Sequence, residues 1–208
     1  NTIPTESRFP YVARVASIQA GQTQESVAMA LNRLCSSGLQ AIVTTAQNIL
    51  LNDCDYGIGG GVEVMSRAGY LSAAMRNGAR MGDSKMIDTM VSTLTDPFGV
   101  GHMGITAENL VATMDSLAKL KPAFKKEGGS VTAGNASGIN DGAAFFVLAD
   151  AAVAASAGHK PMARLVSYAI AGVPNEIMGE GPIPATKLAL KKAGLTLDQI
   201  DVIEANEA

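Results

Sequence analysis

The stretch LNRLCSSGLQA, Leu31 to Ala41, sets Cys35 just ahead of a Ser-Ser-Gly turn that opens an apolar helical run. A thiolate is a strong nucleophile, and a helix N-terminus favours it over the thiol because orphan N–H groups and positive potential gather there. The residues alone also admit a second reading, a small apolar side chain packed in a core. Cys54, in the polar turn NDCDYG, has no such setting. His102 and Met103 lie in GHMG, where flanking glycines let backbone and ligand approach closely, although a lone histidine also serves as a hydrogen-bonded structural residue. Ala133 and Ser137 lie in AGNASG, by itself a glycine-rich turn, and Asn206 ends EAN, where an asparagine caps a strand-to-helix turn. Two cysteines and two histidines at no metal-type spacing suggest neither a disulfide framework nor a zinc site.

These groups need elements to hold them. From Ser36 to Leu51, Leu39, Ile42, Val43, Ala46, Ile49 and Leu50 recur at spacings of three and four, which predicts a helix with one broad buried face starting at Cys35. SVAMALNRL ahead of it reads as a strand. After it, NDCDYGIGGGVEVMS reads as a turn and a short strand ending in three glycines, which mark close approach of backbones. Strand, turn with a nucleophile-type residue, helix, strand is an α/β arrangement. Residues 67–126 are methionine-rich and turn-rich and read as an inserted loop region. GAAFFVLADAAVAASAG then predicts a buried strand running into a helix, and MARLVSYAI another strand. The final stretch predicts a helix stopped at Gly194, a capping box from Thr196 to Gln199, and a strand from Asp201 toward Asn206. The helix-then-strand unit before GIGGGVE thus has a counterpart before VIEANEA, a hint of duplication.

A chain of 208 residues, 47% of them hydrophobic, is long enough for one large domain or two small ones. A net charge of -3 with both signs interspersed offers no basic stripe for nucleic acid. No apolar run is long enough to cross a bilayer, and NTIPTESRFP lacks the layout of a secretory signal, so a cytoplasmic protein with no membrane partner is expected. The sequence begins and ends beside strands that would leave unpaired edges. The 208 residues are therefore expected to belong to a longer polypeptide, with an intact mass above 21.3 kDa.

LNRLCSSGLQAIVTTAQNI resembles the nucleophile signature of the thiolases, in which Leu-Asn-x-x-Cys precedes small residues, Gly and a helix. GGGVEVMSRAGY, RMGDSKMIDTM, HMGITAEN, LKPAF, VTAGNASGINDGAA, GEGPIPATKLAL and DVIEANEA resemble further thiolase segments in the same order, nearest the acetyl-CoA acetyltransferase and β-ketothiolase branch. The resemblance implies a thiolase fold: duplicated βαβαβ halves in a layered αβαβα arrangement with an inserted loop domain. It divides the chain into an N-terminal half at 1–66, an incomplete loop domain at 67–137, a return to the N-terminal half at 138–158, and a truncated C-terminal half at 159–208. Two family features are not in these residues. One is the Gly-His-Pro histidine and the Cys-x-Gly-Gly-Gly cysteine, expected beyond Ala208. The other is a long helical segment bearing much of the coenzyme A nucleotide site, where Ala112 here runs directly into Thr113.

The resemblance makes Cys35 the acyl-accepting nucleophile and Asn206 the holder of a water that completes an oxyanion hole. It places His102, Met103, Ser137 and Ala133 along the pantetheine and acyl end of the pocket, with Leu94, Phe124 and Met178 as apolar pocket positions. The implied activity is acyl transfer between coenzyme A thioesters that forms or cleaves 3-ketoacyl-CoA such as acetoacetyl-CoA, with no metal and no cofactor beyond the substrates. RNGARMGDSKMIDTM resembles the loop through which this branch assembles, implying a homodimer or homotetramer. The alternatives are a related condensing enzyme of the same superfamily and a non-catalytic CoA- or lipid-binding relative.

Overall fold

The structure is a computed structural model that describes residues 2–110 and 121–207. In chain order it contains helices α1 (Val12–Gln19) and α2 (Ser37–Leu50), then strands β1 (Tyr56–Val64), β2 (Tyr70–Leu71) and β3 (Ile87–Asp88). Helices α3 (Thr89–Thr93) and α4 (Met103–Glu108), strand β4 (Asp141–Ala149), and helices α5 (Ala151–Ser156) and α6 (Pro182–Ala193) follow. The chain divides into two compact units, residues 1–90 with 139–163 and residues 91–138 with 164–208. The junction of Ala112 and Thr113 lies outside the described residues.

In the first unit β1 and β4 pair antiparallel along their whole length, from Tyr56 opposite Ala149 to Val64 opposite Asp141. Beyond the last pair the Asp141 carboxylate accepts the Ser66 N–H at 3.0 Å and the Ser66 hydroxyl at 2.6 Å, closing the ladder's end. Helix α2 packs on this pair. It comes close because alternate residues of β1 on that side are glycines. A methyl group at Gly59 would stand 2.8 Å from Ile42 Cα and 3.0 Å from the Ala41 carbonyl oxygen, and one at Gly61 would stand 3.3 Å from Gly38 Cα. Val43 and Ile49 are buried, each burial contributing about 1.5–3 kcal/mol, while Leu39 and Leu50 are exposed. The buried face is thus narrower than the periodicity predicts, since a glycine strand takes the helix backbone itself rather than a row of leucines. The helix begins at Ser37 rather than Cys35, and the strand continues past its glycines to Val64.

Asp150 caps α5, its carboxylate accepting the Ala152 N–H at 2.8 Å. The strand-to-helix passage from β4 to α5 therefore forms, but Phe145, Phe146 and Val147 are exposed rather than buried. Among the described residues β4 has one pairing strand, β1, and so no second strand beside it. Strands β2 and β3 form a short antiparallel ladder at the base of a hairpin whose Met75, Met81 and Met86 are exposed.

In the second unit α6 ends where Gly194 takes φ 68°, a left-handed cap that lets the Leu195 N–H donate to the Leu190 carbonyl at 3.0 Å. The capping box follows, with the Thr196 N–H on Gln199 Oε1 at 2.8 Å. Three expected strands do not form, at SVAMALNRL, at MARLVSYAI and at residues 201–206. A strand is defined by its ladder, and no described strand pairs with them. The segment 164–170 is held instead by side-chain bonds to α6, Ser167 Oγ donating to the Ala189 carbonyl at 2.8 Å and Lys192 Nζ to the Tyr168 carbonyl at 3.0 Å.

Candidate active site

Cys35 is exposed and stands two residues ahead of α2. The N-cap residue Ser36 makes no side-chain cap, so its hydroxyl does not consume the first-turn N–H groups. Leu34, just before the cysteine, takes φ 49°, a conformation unfavourable for a non-glycine side chain. The turn that imposes it is bonded throughout. Asn32 Oδ1 accepts the Leu34 N–H at 2.8 Å, and the Ser36 and Ser37 N–H groups donate to the Arg33 and Leu34 carbonyls at 3.1 and 3.0 Å. Strain in the backbone persists only where its surroundings over-determine it, as they do at Leu34.

In the second unit α4 organises the remaining groups. His102 is its N-cap: Nδ1 accepts the Gly104 N–H at 3.1 Å, and the imidazole stacks on Phe124 with centroids 4.8 Å apart and planes 16° from parallel. Gly104 makes that stack possible, because a methyl group there would stand 2.4 Å from the Phe124 ring. The Met103 N–H donates to the Leu94 carbonyl at 2.8 Å. Leu94, His102, Met103 and Phe124 are thereby brought together around the start of α4. At its other end the Asn109 side-chain amide donates to the Glu176 carbonyl at 2.9 Å, fixing the short helical turn Asn175–Glu180 that carries Met178.

Glu108, at the end of α4, ties down the loop leading to Ala133 and Ser137. Its carboxylate accepts the Ser130 N–H, the Ser130 hydroxyl and the Val131 N–H at 2.6, 2.7 and 2.7 Å. Partial burial pushes this carboxyl up, but the Ser130 and Val131 donors with nearby Lys125 outweigh it and hold it below its ordinary value. The turn beyond is closed by Asn135, whose Oδ1 accepts the Thr132 N–H at 2.6 Å. Ala133 and Ser137 are exposed on this turn, and Ser137 shares with Glu207, the neighbour of Asn206, the lining of an open hollow of 480 Å³. Asn206 itself is exposed.

Cys35 belongs to the first unit and the other candidates to the second. Ser37 and Glu108 hold two segments of the candidate site, yet neither stands out in the sequence. Ser37 carries a weak signal, a hydroxyl residue in the first helical turn after the cysteine. Glu108 carries none, because its partners lie 22 and 23 residues away.

The family model "Thiolase, N-terminal domain" matches residues 4–114 and 111–152, and "Thiolase, C-terminal domain" matches 159–208. Beta-ketothiolase BktB of Cupriavidus necator is 45% identical over 265 aligned positions that take in 100% of this chain and 67% of its own length. Since the chain has 208 residues, that relative carries a further stretch within the aligned region. An acetyl-CoA acetyltransferase of Rhizobium meliloti is 42% identical across 94% of this chain and 64% of its own. The chain thus spans about two thirds of the length of these relatives. Human mitochondrial 3-ketoacyl-CoA thiolase, solved also in complex with CoA, superposes with a TM-score of 0.93 at 33% identity, covering 100% of this chain and 67% of its own. An exposed cysteine on a strained turn ahead of a glycine-seated helix, matches to both domain models, and this shared α/β fold converge on one conclusion: the chain belongs to the thiolase family.

Proposed function

We propose that the protein carrying this chain is an acetyl-CoA acetyltransferase or β-ketothiolase that moves acyl groups between coenzyme A thioesters through Cys35. The observation that carries the reading is the exposed thiol on the bonded turn 33–37 at the head of α2. The Cys35 thiolate attacks the thioester carbonyl, a carbon–sulfur bond forms, and the bond to coenzyme A breaks as that thiolate leaves and takes up a proton. A second acetyl-CoA loses its α-proton to a base that the family resemblance assigns to the Cys-x-Gly-Gly-Gly cysteine, and its carbanion attacks the acyl-enzyme carbonyl; the carbon–carbon bond forms as the thioester bond to Cys35 breaks, releasing a 3-ketoacyl-CoA and the Cys35 thiolate. Asn206, by family resemblance, holds the water that faces the developing oxyanion, a role whose loss commonly costs about a hundredfold or more. Leu94, His102, Met103, Phe124, Ala133, Ser137 and Met178 receive the acyl group and pantetheine arm; the grouping of the first four around α4 supports this. No metal or further cofactor takes part.

The assembly is a homotetramer built from dimers through the 70–88 hairpin, a reading supported by its three exposed methionines. Light scattering of the intact enzyme checks it, with a monomer at micromolar concentration as the opposing result. A cytoplasmic location belongs to the same proposal; no described helix is long and apolar enough to cross a membrane.

The test of the reaction is direct. Acetyl-CoA leaves one acetyl group on the Cys35 peptide of the intact enzyme and none in Cys35→Ser, and Cys35 is alkylated near neutral pH faster than Cys54 unless acyl-CoA protects it. Equal labelling of both thiols with no acetylated peptide refutes the assignment.

A further inference from the structure

Ser37 is 7% exposed, and its hydroxyl is fully engaged on the two residues that precede the nucleophile. Oγ accepts the Arg33 N–H at 2.8 Å and donates to the Leu34 carbonyl at 2.7 Å. These bonds close across Cys35 from the helix side, so one oxygen fixes both the entry to the turn and the carbonyl of the residue held at φ 49°. The Leu34 carbonyl has other donors, the Ser37 N–H at 3.0 Å and the Thr2 hydroxyl at 3.4 Å. The Arg33 N–H donates only to this hydroxyl among the described residues, so without it the turn relaxes toward a conformation that satisfies that group differently.

We propose that Ser37 is a positioning residue for acyl transfer: its hydroxyl holds the 33–37 turn so that Cys35 Sγ is presented to the thioester carbonyl. The inference rests on Cys35 being the acyl acceptor. A nucleophile displaced by a fraction of an ångström loses rate without losing ligand affinity, because on the proposed reading other residues make the coenzyme A contacts.

The experiment measures single-turnover acetylation of Cys35 in the intact enzyme by mass spectrometry, beside calorimetric affinity for coenzyme A, in wild type, Ser37→Ala, Ser37→Thr and Ser37→Val. Threonine and valine have nearly the same shape and differ in the hydroxyl, so their comparison cancels the cost of added volume. Ser37→Ala is expected to slow acetylation about tenfold or more with coenzyme A affinity within about twofold of wild type. Ser37→Thr recovers most of the rate and Ser37→Val does not. If the alanine variant fails to fold, the threonine and valine pair decides in the same way. Equal rates in Thr and Val variants, a wild-type rate in Ser37→Ala, or affinity falling in step with rate overturns the inference. A wild-type enzyme that never acetylates Cys35 instead overturns the reaction assigned to it.

Discussion

Replacing Gly59 with alanine tests whether the seat of α2 governs the reactivity proposed for Cys35. The added methyl would stand 2.8 Å from Ile42 Cα and 3.0 Å from Ile42 N and the Ala41 carbonyl, all backbone atoms that no side-chain rotation can move aside. Ordinary contact begins at 3.4 Å, so the helix must retreat from β1 by the difference. Overpacking of this kind costs about 1–3 kcal/mol. The retreat is carried to the turn at its head, and misplacement of a reacting atom by 1 Å costs about a hundredfold, so acetylation of Cys35 should slow about tenfold or more. Gly142→Ala is the control: it lies on β4, has no atom within 4 Å of the new methyl, and should gain a little from a less flexible unfolded chain. Urea midpoints and single-turnover acetylation are measured on the three intact enzymes. A Gly59→Ala enzyme as stable and as fast as Gly142→Ala would refute the claim that backbone contact at this strand sets the position of Cys35.

Two further outcomes are expected. Asn206→Ala should lower turnover far more than coenzyme A affinity, since the oxyanion exists in the transition state and not in the bound thioester; near-normal turnover removes it from the catalytic set. Glu108, held below its ordinary value of 4.5, is ionised in the folded chain where the unfolded chain binds a proton. Its stabilisation is therefore full above that value and lost as pH falls through the lowered one. Glu108→Gln should flatten the acid side of stability against pH, leaving the contribution of Asp141, lowered chiefly by the Ser66 hydroxyl; an unchanged acid limb counts against the carboxylate's role.

What could be read from the residues was what neighbours in sequence decide. The α2 pattern, the Gly194 stop, the Thr196–Gln199 box and the close approach implied by the β1 glycines all depend on atoms within a few residues or on one facing helix. The segments SVAMALNRL and MARLVSYAI have strand composition but lack a described pairing partner, and composition cannot supply one. The same limit hid Glu108, whose carboxylate acts on a loop distant in sequence. The glycines around His102 were legible in the sequence, but its stack on Phe124 depends on the loop returning to α4.

The meeting of Val64 with Asp141, fastened by Ser66, has a consequence for how such a chain can vary. Everything between these residues leaves and re-enters the ladder at one point, so the intervening segment is closed at its base whatever its length. Closure entropy grows only logarithmically, and even doubling a loop costs about 0.6 kcal/mol. The segment between the strands can therefore change in length without shifting the register of the ladder. The clasp lets that segment change in length while the strand that seats α2 stays in place.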